Sequence, residues 1–279
     1  MAKIAVELGE VQETLLIPLY GRARDARSRR PVLGDSRAVE LVDTIDYDFT
    51  GFGGPSLSGS VLRTSIIDGW VRDHLREHPD STVVEIGAGL NTRFDRVDNG
   101  RVHWIDLDLP DTIDLRRRFF TDSARCRMIP GSVLETDWFE AVDTSHGPAL
   151  FVIEAVLLYL SDEEVRTALT QLAERFPGSR VVFDTGGTAM IRSQERNGSM
   201  KAVTARMRWV CDDPGTLEPW GLRLEDSRTF ARPQPEVART WPRRYRHLLR
   251  LLSRVVPRVT ESYRLNLFTL TGPDTRPPS

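Results

Sequence analysis

Cysteine is scarce in this chain: Cys126 and Cys211 are its two, far apart in the sequence. They fit neither a disulfide framework nor a zinc-ligand pattern, so a reduced, cytoplasmic setting is expected. No apolar run approaches the ~20 residues that span a bilayer. The stretch Met1 to Glu10 holds two glutamates and lacks the hydrophobic block of a signal peptide. Net charge is −2 and the pI about 6.3, so no global field recruits nucleic acid or a membrane. No internal repeat is present. What remains is 279 residues, 40% hydrophobic and 28% charged, enough for one large core with additions rather than two equal domains.

The organising stretch is Thr82-Val83-Val84-Glu85-Ile86-Gly87-Ala88-Gly89-Leu90-Asn91-Thr92-Arg93. A β-prone run reaches two glycines one residue apart, which predicts a buried parallel strand, a tight turn and then a helix. Ligands of open α/β sheets bind at the carboxyl ends of the strands, so the turn is a natural floor for one. A third glycine is missing: Thr92 stands where a dinucleotide fingerprint would have it. An acid ahead of the first glycine suits a nucleoside ligand without a diphosphate, such as S-adenosylmethionine. An ordinary strand-to-helix turn is the competing reading.

Apolar residues Ile4, Leu8, Val11 and Leu15 predict an amphipathic helix that stops near Pro18, and Ser36 to Ile45 a second, short helix. Ser60 is expected to cap a third, with Leu62, Ile66 and Trp70 on its stripe; Arg63 and Asp68 also fall on it. His74 and His78 lie four apart on it, but no glutamate follows His74; they read as surface histidines and no metal is expected. Further strands are predicted at Val102–Pro110, ended by its proline, and at Arg127–Val133, Ala149–Glu154, Arg180–Asp184, Leu222–Asp226 and Tyr263–Leu270. Asp106 and Asp108 fall about 20 residues past the turn, where an acid meets a ribose diol in nucleotide-binding folds. Ser161-Asp162-Glu163-Glu164 is a capping box. A basic helix near Pro242–Val256 should turn Leu248, Leu249, Leu252 and Val256 inward and its arginines to solvent. The alternation predicts a mostly parallel α/β sheet. Residues 1–60 form an N-terminal helical or lid segment. Residues 61–279 form the main domain, with helical insertions near 186–213 and 234–258 and a frayed end from Pro273.

Five stretches taken together are distinctive: Thr14 to Ala23, Leu62-Arg63-Thr64, Glu85 to Arg93, Asp106 to Pro110, and Glu154-Ala155-Val156-Leu157-Leu158-Tyr159-Leu160. Through them the chain resembles the leucine carboxyl methyltransferase superfamily over roughly Glu13 to Asp184, most closely its bacterial polyketide (tetracenomycin-type) O-methyltransferase branch. The resemblance implies a Rossmann-like, seven-stranded class I S-adenosylmethionine-dependent methyltransferase fold, with N-terminal helices and a helical insertion or lid in the C-terminal part. It implies S-adenosyl-L-methionine as cofactor. Arg63 would pair with the methionine carboxylate, a bidentate task suited to a guanidinium. Glu85, Gly87 and Gly89 would form the motif against the methionine and ribose. Asp108 would take the ribose hydroxyls with Asp106 nearby, Ser132 and Val133 would meet the adenine, and Glu154 would lie at the amino end. Tyr20 and Tyr159 are candidates for substrate contact.

Methyl transfer from a sulfonium is an in-line displacement, mainly a task of positioning. A carboxylate acceptor is ionised at neutral pH and needs no base, whereas a phenol benefits from one. His103 and His146 are base candidates by residue type alone, and no residue stands out. The expected activity is O-methylation of a carboxylate, or a phenolic hydroxyl, of a small polyketide-like secondary metabolite, with no nucleic-acid or membrane partner. The alternatives are a methyltransferase acting on a protein's terminal carboxylate and a non-catalytic, cofactor-binding regulator.

Overall fold

The computed structural model describes residues 4–5, 10–193 and 206–272. Along the chain these form β1 (Ile4–Ala5), α1 (Glu10–Ala26), α2 (Ser36–Thr44), β2 (Ile45–Asp46), α3 (Pro55–Glu77), β3 (Thr82–Ile86), α4 (Arg93–Val97), β4 (His103–Asp108) and α5 (Pro110–Arg116). Next come β5 (Cys126–Pro130), β6 (Leu150–Ile153), α6 (Asp162–Arg175), β7 (Arg180–Gly186), α7 (Thr188–Ser193), β8 (Leu222–Arg228), α8 (Pro235–Thr240), α9 (Arg243–Val255), α10 (Pro257–Thr260) and β9 (Tyr263–Leu270).

Seven strands make one sheet in the order β5-β4-β3-β6-β7-β9-β8. The first five are parallel; β9 inserts antiparallel between β7 and β8. The order reverses at β3, so the Gly87–Gly89 turn opens at the switch point, where a crevice forms. Alternation divides the sheet. Val84, Ile86, Phe151, Ile153, Val181 and Phe183 face a core closed by α6. Val83, Leu150, Val152 and Val182 face α3 with Ile66, Trp70 and Val71. A third cluster joins Leu16, Leu19 and Ala23 of α1 to α2, and to Leu90 and Leu115 beside the glycine turn.

Several local expectations change. Ile4 pairs with Ile45 in a short parallel ribbon instead of opening the first helix, and Leu8 lies outside the described residues. Helix α1 runs through Pro18 to Ala26. A proline inside a helix costs about 3 kcal/mol, and full burial of Leu16, Leu19 and Ala23 on the same helix offsets it. Pro55, not Ser60, starts α3, at the first-turn position where the missing N–H costs nothing; Ser60 sits inside, its hydroxyl bonding Leu57 O at 2.8 Å. His74 is buried, with Nε2 3.1 Å from Ser81 Oγ, and burial pushes its pKa down to about 4. Among the described residues no His, Cys, Asp and Glu group could hold a metal ion.

On α9, Tyr245 and Leu249 pack inward, whereas Leu248 (53%), Leu252 (37%) and, just past the helix end, Val256 (39%) are exposed. That helix rests on the body by one narrow edge rather than the broad apolar face expected. The capping box at Ser161 and Glu164 forms as expected. The anticipated insertion near 186–213 is described as α7 and the segment from 206 onward; 194–205 and the 273–279 end lie outside the described residues. No described helix is long and apolar enough to cross a membrane.

Candidate active site

Strand periodicity builds the site. Four adjacent strands, β4, β3, β6 and β7, each bring an acid to the α3 side of the sheet near its carboxyl edge: Asp106 and Asp108, Glu85, Glu154 and Asp184. Helices α3 and α4 and the N-terminal segment supply the cations. Arg93, fully buried at the first position of α4, gives Nε to Asp68 Oδ1 at 2.7 Å, Nη1 to Glu85 and Nη2 to Glu154. One rigid fork thereby joins β3, β6 and α3, a task a lysine point charge could not perform. Arg96 binds Asp68 at 2.9 Å and Asp35 at 3.1 Å. Arg22 binds Asp35 at 3.0 Å and Leu90 O at 2.8 Å, tying α1 to the residue after the glycine turn.

Arg63 Nε donates to Glu154 Oε1 at 2.7 Å, and Thr64 Oγ1 donates to the same oxygen at 2.8 Å. Burial alone would raise the pKa of Glu154; the guanidinia of Arg63 and Arg93 overcome it and hold the carboxyl at about 2. Glu85 shifts the other way. Burial raises its pKa more than Arg93 lowers it, and its Oε2 has no hydrogen-bond partner.

The turn itself needs its glycines. Gly87 (φ 72°) and Gly89 (φ 48°) are left-handed, and a Cβ at Gly87 would collide with Val156 Cγ2. At the end of β4, Asp108 Oδ2 accepts the Gly89 N–H at 2.7 Å and Oδ1 accepts the Leu109 N–H at 2.8 Å. The Gly131 N–H donates to Asp108 O at 2.9 Å, which brings the end of β5, with Ser132 and Val133, alongside.

Of the residues singled out in the sequence, Arg63, Glu85 and Glu154 converge in one network, and Asp108 closes onto Gly89. Asp106 does not reach the rim. It lies one pleat deeper on the same strand face, buried, accepting from Arg116 Nη2 at 2.8 Å, Arg116 Nε at 3.1 Å and Trp104 Nε1 at 3.0 Å. Arg116 in turn donates to Gly89 O at 2.9 Å and Asn91 O at 2.8 Å, so Asp106 acts on the turn from behind. The Val133 side chain is buried in the α6-side core, while Ser132 stays half-exposed with its carbonyl accepting from Trp138 Nε1. Tyr20 stacks on Phe49 at 5.2 Å in an aromatic cluster with Tyr47 and Phe52. Tyr159 is half-buried; burial raises its pKa, with Arg63 and Asp184 as its charged neighbours. His103 and His146 stack on each other at 6.1 Å, and His103 begins β4, at the opposite end of the sheet.

These contacts suit a zwitterionic nucleoside, and comparison with known sequences decides the family. The leucine carboxyl methyltransferase model matches residues 17–173. The tetracenomycin polyketide synthesis O-methyltransferase TcmP of Streptomyces glaucescens is 35% identical over 226 residues, 79% of this chain and 83% of that one. The chain belongs to the leucine carboxyl methyltransferase family.

A second relative, the S-adenosyl-L-methionine-dependent methyltransferase dpfgK of Gibberella zeae, is 27% identical over 76% of this chain and 79% of its own length. This family member is an S-adenosylmethionine-dependent methyltransferase with the seven-stranded class I fold, the antiparallel β9 lying between β7 and β8. The residues present fit the cofactor. Asp108 uses two of its carboxylate's four lone-pair positions on backbone N–H groups. Arg63 commits Nε and one Nη1 hydrogen. The unpartnered Glu85 Oε2 is a buried acceptor suited to a cation.

Sequence reasoning missed Arg93, Arg96, Arg22, Asp35, Asp184 and Tyr263 as site residues. Arg93 stood inside the glycine motif, and an arginine eight residues past a strand-end acid, across the glycine turn, is the signal that pointed to it. Tyr263 carried no such signal, because its partner Arg63 is 200 residues away.

Proposed function

We propose that this methyltransferase forms methyl esters on a carboxylate of a small polyketide-like metabolite, with a phenolic hydroxyl as the lesser option. The observation that carries this reading is the 35% identity over most of both chains to a polyketide O-methyltransferase. The histidines add to it. His74 is buried against Ser81, His78 pairs with it, His103 and His146 lie at the far edge, and His247 is on α9. None of the five is hydrogen-bonded into the acidic cluster at the carboxyl edge, and an ionised carboxylate acceptor needs no base.

Bound S-adenosylmethionine supplies the electrophilic methyl on its sulfonium. In this reading Asp108 accepts from the ribose diol, Arg63 holds the methionine carboxylate, and Glu85 and Glu154 face its ammonium. The Gly87–Gly89 backbone lies under the ribose, and Ser132 and Val133 border the adenine. The protein's part is alignment: the network fixes the cofactor so that an acceptor oxygen meets the methyl in line.

The test has two arms. In calorimetry with S-adenosylmethionine, Asp108→Ala should cost about 1–3 kcal/mol of affinity; unchanged affinity removes Asp108 from the site. Incubation with methyl-labelled cofactor and extract, followed by mass detection on candidate acids and phenols, identifies the acceptor. Label in the organic phase, as an ester, supports the proposal. Label in a protein band assigns the enzyme to protein carboxyl methylation instead.

A further inference from the structure

Five groups at the carboxyl edge close into a ring of hydrogen bonds. Arg63 Nε donates to Glu154 Oε1 at 2.7 Å, and Arg63 Nη1 donates to the Tyr263 phenol oxygen at 3.4 Å. The Tyr263 hydroxyl donates to Asp184 Oδ2. Asp184 Oδ1 accepts the backbone N–H of Ala155 at 2.8 Å, and Ala155 follows Glu154 in the chain. The ring joins α3, the end of β6, the end of β7 and the first residue of β9. Ala155 is the one described non-glycine residue with positive φ, at 57°. A side-chain-bearing residue in the left-handed region is strained and persists where surrounding bonds over-determine it. Asp184, fully buried at the adjacent strand end, supplies that bond.

We infer that Asp184 and Tyr263 are positioning residues for the methionine end of the cofactor, a role that rests on the cofactor placement proposed above. An arginine side chain held in one rotamer gives up more conformational freedom than most side chains do. Here the ring imposes that order before any ligand arrives. It fixes Nε and one Nη1 hydrogen of Arg63, leaving Nη2 and the second Nη1 hydrogen for a carboxylate. It also sets the Glu154–Ala155 corner, from which Val156 reaches over Gly87. Preorganisation of this kind raises affinity by lowering the ordering cost of binding.

The experiment compares two ligands that share the adenosine and the thioether. S-adenosylhomocysteine carries the amino-acid end; 5′-methylthioadenosine lacks it. In Tyr263→Phe, affinity for S-adenosylhomocysteine should fall ~10-fold, one charge-assisted hydrogen bond's worth. Affinity for 5′-methylthioadenosine should stay within about twofold of wild type. Asp184→Asn is the second variant. With its amide oxygen kept on the Ala155 N–H, its NH2 faces the phenol and turns the Tyr263 proton toward Arg63, so the same selective loss is expected. Equal loss of both ligands assigns the pair a merely structural part and overturns the inference, as does unchanged binding of both. Absence of S-adenosylhomocysteine binding by the wild-type protein sinks the cofactor placement and this inference with it; the other two outcomes sink the inference alone.

Discussion

The two faces of the sheet are held by different physics. Toward α6, Phe151, Phe176, Phe139 and Trp138 pack ring against ring, with Phe151 and Phe176 centroids 4.9 Å apart and no charge among them. Toward α3, the carboxyl edge is a buried lattice in which Arg22, Arg63, Arg93 and Arg96 meet Asp35, Asp68, Glu85, Glu154 and Asp184. The apolar face gains stability from area and shape. The charged face gains little net stability, because desolvation opposes each pairing, but it fixes directions that dispersion contacts cannot. Stability and ligand geometry are thereby separated onto two sides of the same strands.

Breaking the charged side at its centre should have the largest effect. Arg93→Met leaves Asp68, Glu85 and Glu154 without their shared partner. A loss of about 3–5 kcal/mol is expected, read as a lower urea midpoint, together with loss of cofactor binding in the fraction that remains folded. Phe176→Ala on the apolar side should cost a similar ~3–5 kcal/mol yet leave calorimetric affinity for S-adenosylmethionine intact. If both variants lose affinity in the folded state, the separation of roles fails.

A smaller, graded effect sharpens the contrast through pH. His74 titrates near 4 when folded against 6.5 when free, so the unfolded chain binds its proton first. Stability from the neutral imidazole is therefore complete above about pH 6.5 and declines as pH falls toward 4. At full effect a shift of that size corresponds to roughly 3 kcal/mol. Glu154, at about 2 when folded against 4.5 when free, keeps its contribution above pH 4.5 and loses it only as pH falls toward 2. Urea midpoints measured from pH 7 to 4.5 should decline in the wild type and flatten in His74→Gln. An unchanged slope would assign the decline to other groups.

Much of this arrangement was legible beforehand, for a physical reason. Strand period places Glu85, Asp108 and Glu154 on one face at the ends of apolar runs, and glycines mark the turn. What escaped reading depends on the third dimension. Asp106 shares the face and spacing of Asp108, and only the reach of Arg116 from α5 decides that one is covered and the other borders the rim. Proline 18 stops a helix by local rule, yet tertiary burial of Leu16, Leu19 and Ala23 carries α1 past it. On α9 the apolar periodicity is real, but periodicity does not say how much of a stripe finds a surface to cover.

The placement of β9 has a bearing on how the enzyme is made. Its first residue, Tyr263, completes the bonds of Arg63, and its strand slots between β7 and β8, so β8 has no direct neighbour in the sheet until β9 arrives. Chains emerge from the ribosome at about 5–20 residues per second, so the site stays unfinished for roughly ten seconds or more after Arg63 appears. A nascent chain cut short before Tyr263 would carry the glycine turn and its acids yet lack the clasp that orients them.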